Sequence, residues 1–371
     1  MTSPVILLRS NPFSKLWHLV PIFVSFSFMV DSGGGLYVRN IALILIAILV
    51  TVKIRRKMTF NFNGIAAYIV CGSFIAFSSL LSVIANNGLD FIRWITFFLF
   101  FPVFYFFVKL NSVKVIHLIY GANLFCLVIV FIFILRIFFP LLADVVIYEI
   151  ISGSTGFFNE KTLFGRAVPV TYFPATLALV PIGWMALREK NYFSALFILF
   201  ALIIAPSRFG STIMLLGFIV VPLFRFSSVG TSIIIASLFL VFPAISLLPL
   251  GDVRAGHASS LLVVLSDDIS RLFFGMGPGS LFYSSGSFRL VSDIELSHLE
   301  FVRKYGIIFY TYLYFMIYFI LARASDHRVA GLFLLSVCLT FLYNPGITSL
   351  NTALLLATLM IGGNNEKPEK I

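Results

Sequence analysis

The chain has 371 residues, of which 60% are hydrophobic and only 11% charged, and its mean hydropathy is +1.05. A water-soluble domain clothes its surface with roughly a quarter of charged residues. Composition therefore excludes a soluble protein, and roughly ten to twelve spans of about 20 residues each match the apolar content. The net charge of +11 reads as a topology signal, because basic residues in membrane proteins sort by side of the bilayer. It is not read as a nucleic-acid surface.

Apolar runs bounded by charge or by Gly, Pro and Asn predict about twelve membrane helices, over residues 14–30, 36–52, 64–84, 91–108, 115–139, 168–187, 191–205, 209–224, 229–249, 304–321, 329–343 and 347–361. The first resembles a signal-peptide core, but Asp31-Ser32-Gly33-Gly34-Gly35 offers no small-x-small cleavage site, so it is read as a retained span. The expected fold is an all-α, polytopic membrane protein in which residues 1–371 form a single domain with a large helical outer loop. Cys71, Cys126 and Cys338 each lie inside an apolar run with no CxxC spacing, which points to packing.

Sidedness follows from the cations. Lys53, Arg55, Arg56, Lys57, Lys109, Lys114, Arg188, Lys190, Arg225, Arg323 and Arg328 all fall on alternate connections, which places these connections and both termini in the cytoplasm. With Arg9, Lys15, Lys367 and Lys370 added, that side carries the entire net charge. The outer cations are Arg except for Lys161 and Lys304. Arg presents a rigid fork suited to phosphate and carboxylate, although a single outer Arg can equally snorkel or pair with an acid.

Two longer connections, residues 140–167 and 250–303, lie on the outer side, where structured loops commonly carry function. The shorter one ends in Gly156-Phe157-Phe158-Asn159, followed by Glu160, Lys161 and Arg166, a mixture of aromatic, amide and charge suited to a sugar face. At the next outer helix end, Ser207 is the expected N-cap, so Arg208 and a helix N-terminus would face the same surface as a phosphate site. The larger loop carries Arg254 and His257, then residues 258–274, which read as one amphipathic interfacial helix. Gly275-Met276-Gly277-Pro278-Gly279-Ser280 follows as a turn or an anion nest. Asp267-Asp268 diverge if helical and would not grip one ion, and no metal motif is present.

Near the end of that loop, Glu295 and His298 are three apart and would share a helix face as an acid/base pair. The competing structural reading is a capping box, Ser292-x-x-Glu295. His257 is the remaining candidate for proton transfer. No metal ligands and no cofactor are expected, so phosphate handling would rest on Arg and helix termini.

Four elements, mainly within residues 150–320, resemble the O-antigen polymerase and ligase superfamily: Gly156-Phe157-Phe158-Asn159, Ser207-Arg208-Phe209-Gly210, Gly275-Met276-Gly277-Pro278-Gly279-Ser280, and Glu295 eleven residues before Gly306. The resemblance implies a multi-pass glycosyltransferase of the bacterial inner membrane that joins undecaprenyl-pyrophosphate-linked glycans on the periplasmic face, as in lipopolysaccharide assembly. By that resemblance Arg208 and Arg254 would hold the donor pyrophosphate, with Arg166, Arg289, Asn159 and Tyr283 completing the substrate contacts and Glu295, His298 and His257 the catalytic set. The implied partners are lipid-linked donor and acceptor, the bilayer and a chain-length regulator. Ligases of the superfamily tend to carry a His-Asn pair where this chain has Glu295-Leu296, which favours a polymerase over a ligase that glycosylates lipid A core. A lipid-oligosaccharide flippase is the alternative of another class, but its charges should line a path through the membrane.

The topology is directly testable. A cysteine engineered at Ser285 should react with a membrane-impermeant thiol reagent in intact cells; labelling that requires permeabilisation would invert the sidedness on which the outer-site reading rests.

Overall fold

The computed structural model describes residues 12–31, 37–54, 69, 72–73, 76–77, 80, 92–139, 141–142, 157–163, 166–172, 174–205, 207–238, 242–245, 252–291, 294, 296–342 and 350–362. Helices dominate. In chain order they are α1 (Pro12–Val30), α2 (Val38–Ile54), α3 (Ile92–Asn111), α4 (Val115–Phe138), α5 (Leu179–Arg188), α6 (Tyr192–Ile204), α7 (Arg208–Phe226), α8 (Val229–Ser237), α9 (Asp252–Ser266), α10 (Ile269–Phe274), α11 (Ser297–Ala324), α12 (His327–Thr340) and α13 (Leu350–Gly362). Among the described residues two antiparallel hairpins interrupt them: β1 (Phe157–Leu163) with β2 (Arg166–Tyr172), and β3 (Phe282–Ser284) with β4 (Arg289–Val291). The expectation of an all-helical chain is corrected to that extent.

Among the described residues, three helices are long and apolar enough to cross a membrane: Val115–Phe138, Phe209–Phe226 and His298–Ala324. Helices α5, α6, α12 and α13 are apolar but only 10 to 14 residues long, so the twelve full-length runs of the sequence reading are not reproduced one for one. Expected span 64–84 lies largely outside the described residues. The run at 168–187 starts as strand, and its helix begins only at Leu179. Pro169 lacks the N–H a helix interior needs, and Pro174 opens a 3-10 turn, Pro174–Ala178, that leads into the helix. Pro169 sits opposite Glu160 in a two-stranded ribbon, where a missing donor is tolerated. The run at 229–249 likewise ends as α8 at Ser237, with one further helical turn at Phe242–Ile245 that contains Pro243.

Packing follows membrane rules. Helix α4 buries Leu118, Ala122, Phe125, Cys126, Ile129 and Ile132 and exposes Tyr120, Leu124, Leu127, Phe131 and Ile134. Both faces are apolar, as expected when one meets protein and the other lipid. Between such surfaces the hydrophobic effect gives little preference, and close packing of small residues takes over. Gly121 lets α4 approach Ser25 of α1, and Gly217 of α7 gives way to the Trp184 ring of α5. That ring is fully buried and donates its indole N–H to the Ile213 carbonyl at 3.1 Å. Helices α5, α7 and α12 pack mutually, as do α1, α4 and α6 in sequence, with α13 lying against α3.

Helix α11 is two helical segments joined across a kink at Gly306. Gly306 adopts φ 79 and ψ 162, a conformation closed to residues with a Cβ, and it divides a short first segment from the long apolar one. The carbonyls of Arg303 and Lys304, released from their helical partners, accept from the amides of Met276 and Gly277 at 2.7 and 3.0 Å. A Cβ on Gly306 would stand 2.0 Å from the Phe273 carbonyl oxygen, so α10 is pressed directly on the break.

Gly306→Ala is therefore expected to destabilise the detergent-solubilised protein by about 1–3 kcal/mol from backbone strain alone, read as a lowered Tm. Gly230→Ala, where the nearest atom is the Ser228 hydroxyl oxygen at 3.8 Å, should be neutral. Equal melting of the two variants would contradict the docked-break description.

Candidate functional site

Residues 252–291 fold as a cap over the head of α11. The single amphipathic helix expected over 258–274 is instead two, α9 and α10, and the division falls at the acidic pair. Asp268 is not a helix-interior residue but the N-cap of α10, accepting from the Ser270 amide at 2.9 Å. The Ser270 hydroxyl and amide hold its carboxyl below the usual carboxylate range, with Arg271 adding to the effect. Capping outcompetes helix continuation because an interior Asp has poor helix propensity, whereas an N-cap Asp satisfies orphan amides.

The glycine turn then reverses the chain. Gly275, Gly277 and Gly279 all have positive φ, and a Cβ on Gly275 would lie 2.4 Å from the Lys304 carbonyl oxygen. Because the Met276 and Gly277 amides are spent on carbonyls of α11, the turn works as a clasp, and these two amides are not available to an anion nest.

Beneath the clasp lies a buried ionic cluster. Arg303 donates through Nε and Nη2 to both carboxylate oxygens of Glu300, at 2.9 and 2.6 Å, and Lys304 Nζ reaches the same carboxylate at 2.8 Å. All three side chains are at most 1% exposed. Arg303 Nη1 donates to the carbonyl and hydroxyl oxygens of Ser280, at 2.9 and 2.6 Å, and the guanidinium sits over the Phe282 ring, 5.0 Å from its centroid. One side chain thus ties the membrane helix to the turn and to the hairpin. Bidentate charge-assisted bonding of this kind offsets the large cost of removing the ions from water.

The cap has a second internal interface. Gly256 and Gly286 let α9 meet the β3–β4 turn backbone to backbone; a Cβ on Gly286 would lie 2.0 Å from the Val253 carbonyl oxygen. Around this contact Ser260 and Ser285 pair through their hydroxyls at 2.9 Å, Ser285 donates to the Gly256 carbonyl at 3.0 Å, and His257 Nδ1 pairs with the buried Ser284 hydroxyl at 2.5 Å.

Of the sequence-derived candidates, Arg254, His257, Tyr283 and Arg289 are gathered in this cap. Arg254 is half-buried, His257 buried, and Tyr283 and Arg289 are exposed on the hairpin. Arg208 opens α7 with Ser207 as its N-cap, the Ser207 hydroxyl accepting from the Gly210 amide at 3.3 Å, as the sequence predicts. Asn159 and Arg166 stand on β1 and β2. The side chains of Asn159, Arg166 and Arg208 lie outside the described residues, as do Ser292 and Glu295.

Helix α11 starts at Ser297 with Leu296 as its N-cap, and Ile294 and Leu296 are non-helical. Both the expected pairing of Glu295 with His298 and the Ser292-x-x-Glu295 capping box rest on residues outside the described ones. Ile294, Leu296 and Leu299 are buried around the helix start. The His298 side chain is fully buried: Nε2 donates to the Cys338 carbonyl at 2.9 Å, Nδ1 accepts from the Tyr310 hydroxyl at 2.9 Å, and Phe242 stacks on the ring. With both ring nitrogens engaged, its visible role is to join α11 to α12.

Arg303, Glu300 and Phe282 were not singled out from the sequence. The available signal was the spacing of Glu300 from Arg303 and Lys304, three and four residues, which stacks opposite charges on one helix face. Among the described residues no group of His, Cys, Asp and Glu has the geometry of a metal site. No protein-family model matches the chain, and no match is found among curated proteins or solved structures.

Glu300→Gln removes the carboxylate that two buried cations share and is expected to cost about 3–5 kcal/mol, seen as a marked loss of thermal stability in detergent. An unchanged Tm would show that the cluster contributes nothing to docking the cap.

Proposed function

We propose that the chain is a membrane glycosyltransferase that polymerises undecaprenyl-pyrophosphate-linked oligosaccharide repeat units at the periplasmic face of a bacterial inner membrane. The observation that carries the reading is the cap: Arg254, His257, Tyr283 and Arg289, four of the residues implied by the resemblance, lie in one compact unit clasped to the head of a membrane-length helix. In this reading both termini are cytoplasmic, about twelve segments cross the bilayer, and residues 250–303 and 140–167 face outward.

Arg208 and Arg254 hold the donor pyrophosphate, with the N-terminus of α7 adding its partial positive charge. Arg166, Arg289, Asn159 and Tyr283 contact the glycans. Glu295 takes the proton of the acceptor sugar hydroxyl as its oxygen bonds to the donor anomeric carbon. The bond from that carbon to the pyrophosphate oxygen breaks, and undecaprenyl pyrophosphate departs with its developing charge held by the Arg forks. The buried Glu300 is distinct from this chemistry, since its carboxylate is committed to Arg303 and Lys304.

Glu295→Gln, expressed in a strain lacking the chromosomal copy, should insert normally yet leave single repeat units on the lipid acceptor, with turnover lower by about 10²- to 10⁴-fold. Arg254→Lys should shorten chains although it keeps the charge, because the bidentate fork is lost. Full-length polymer from both variants at normal abundance would overturn the assignment. Loss of all glycan from the lipid acceptor in the deletion strain would instead favour a ligase.

A further inference from the structure

At the far end of α11 from the cap, three inner connections converge on a cleft of about 270 Å³. From Gly306 to Ala324 the helix rises about 27 Å, close to the roughly 30 Å of a bilayer's hydrocarbon core. The cap and this cleft therefore stand at opposite membrane surfaces. The cleft is rimmed by Arg188, Glu189, Arg225, Asp326 and Arg328, and its floor is apolar, made of Val221, Phe224, Val329 and Leu332.

The rim carries three guanidinium groups and two carboxylates. Arg225 Nη2 donates to the Leu187 and Arg188 carbonyls at 2.8 and 2.9 Å, which pins it over the C-terminus of α5 and leaves Nε and Nη1 for another acceptor. Arg328 Nη1 similarly donates to the Arg225 carbonyl at 3.0 Å, at the C-terminus of α7. Arg188 pairs with Glu189 in a partly exposed ion pair, an arrangement of small net worth at a wet surface. Arg225 and Arg328 are thus positioned by helix ends rather than by acids.

A second, independent feature points to an anion. Helix α12 begins beside the cleft, and Asp326 at its N-cap makes no side-chain hydrogen bond to the first-turn amides. Those amides have no intrahelical partner by geometry, so a 14-residue helix presents an uncapped positive end next to the guanidinium groups. On the outer side of α7 nearby, Leu223 and Phe226 are strongly exposed, the latter at 89%, which is the character of a lipid-facing surface.

We propose that this cleft binds the phosphate of an anionic membrane phospholipid, with Arg188, Arg225, Arg328 and the amides at the start of α12 as donors and the first acyl carbons on the apolar floor. Basic pockets between membrane helices at an inner surface take acidic headgroups on the same physical grounds. A free phosphate ion would satisfy the donors but not the floor, so the lipid is the better match.

The test uses the full-length protein in a neutral detergent. Thermal stability is measured with phosphatidylglycerol, with phosphatidylcholine and with inorganic phosphate, and bound lipid is identified by native mass spectrometry. Phosphatidylglycerol should raise the Tm above the phosphatidylcholine value and remain bound. The double variant Arg188→Gln/Arg328→Gln should weaken its binding at least about tenfold, as expected for loss of charge-assisted hydrogen bonds, with the phosphatidylcholine Tm unchanged. Arg225 is left intact because it caps α5. If the double variant fails to fold, Arg328→Gln alone, an exposed side chain, gives the same comparison. Equal response to both lipids, an undiminished phosphatidylglycerol response in the variant, or reproduction of the full effect by inorganic phosphate would each overturn the proposal.

Discussion

The architecture turns on two peptide carbonyls. In a lipid-embedded helix each backbone acceptor normally finds its own donor four residues on, and an unsatisfied group costs several kcal/mol. Gly306 breaks that rule at the head of α11, and the Arg303 and Lys304 carbonyls are satisfied only because the amides of Met276 and Gly277 reach them. The helix and the connecting loop consequently specify one another: without the clasp the break carries unpaired groups, and without the break the clasp has no acceptors.

The buried charges extend the same dependence. Arg303 binds Glu300 within its own helix, but it spends its remaining fork on Ser280 and its cationic face on Phe282, both contributed by the loop. An ionic group this buried is tolerable only when most of its donors are matched. A cap docked in this way is held rigidly at its base while its hairpin, with Tyr283, Arg289 and Phe288 outermost, remains exposed. A rigid base under an accessible rim is a suitable platform for residues that must meet a large substrate in a fixed orientation.

Much of the helical layout was legible in the chain because length and apolarity are what a membrane demands. The run expected at 115–139 is α4, Val115–Phe138, and the one expected at 209–224 is α7, which begins at Arg208 behind its Ser207 cap. Local chemistry decides both, and both are read locally. Other features depend on packing that is not local. Ile294, Leu296 and Leu299 are all buried around the first residue of α11, Ser297. The amphipathic pattern at 258–274 hides a break that Asp268 makes by capping. The clasp was the least legible feature, because backbone amides meeting backbone carbonyls leave no trace in side-chain identity beyond the glycines that permit them.

That last property governs how such a protein can diverge. The Met276 and Gly277 contacts use main-chain atoms alone, so mutational drift at position 276 or across most of α11 leaves them intact. What selection must hold is backbone freedom at 275, 277, 279 and 306, where φ is positive in every case. Homologues that had exchanged nearly all their side chains would still share this four-glycine grammar, with 26 residues between the third glycine and the last. Ancestry in such a lineage is written in absences of Cβ.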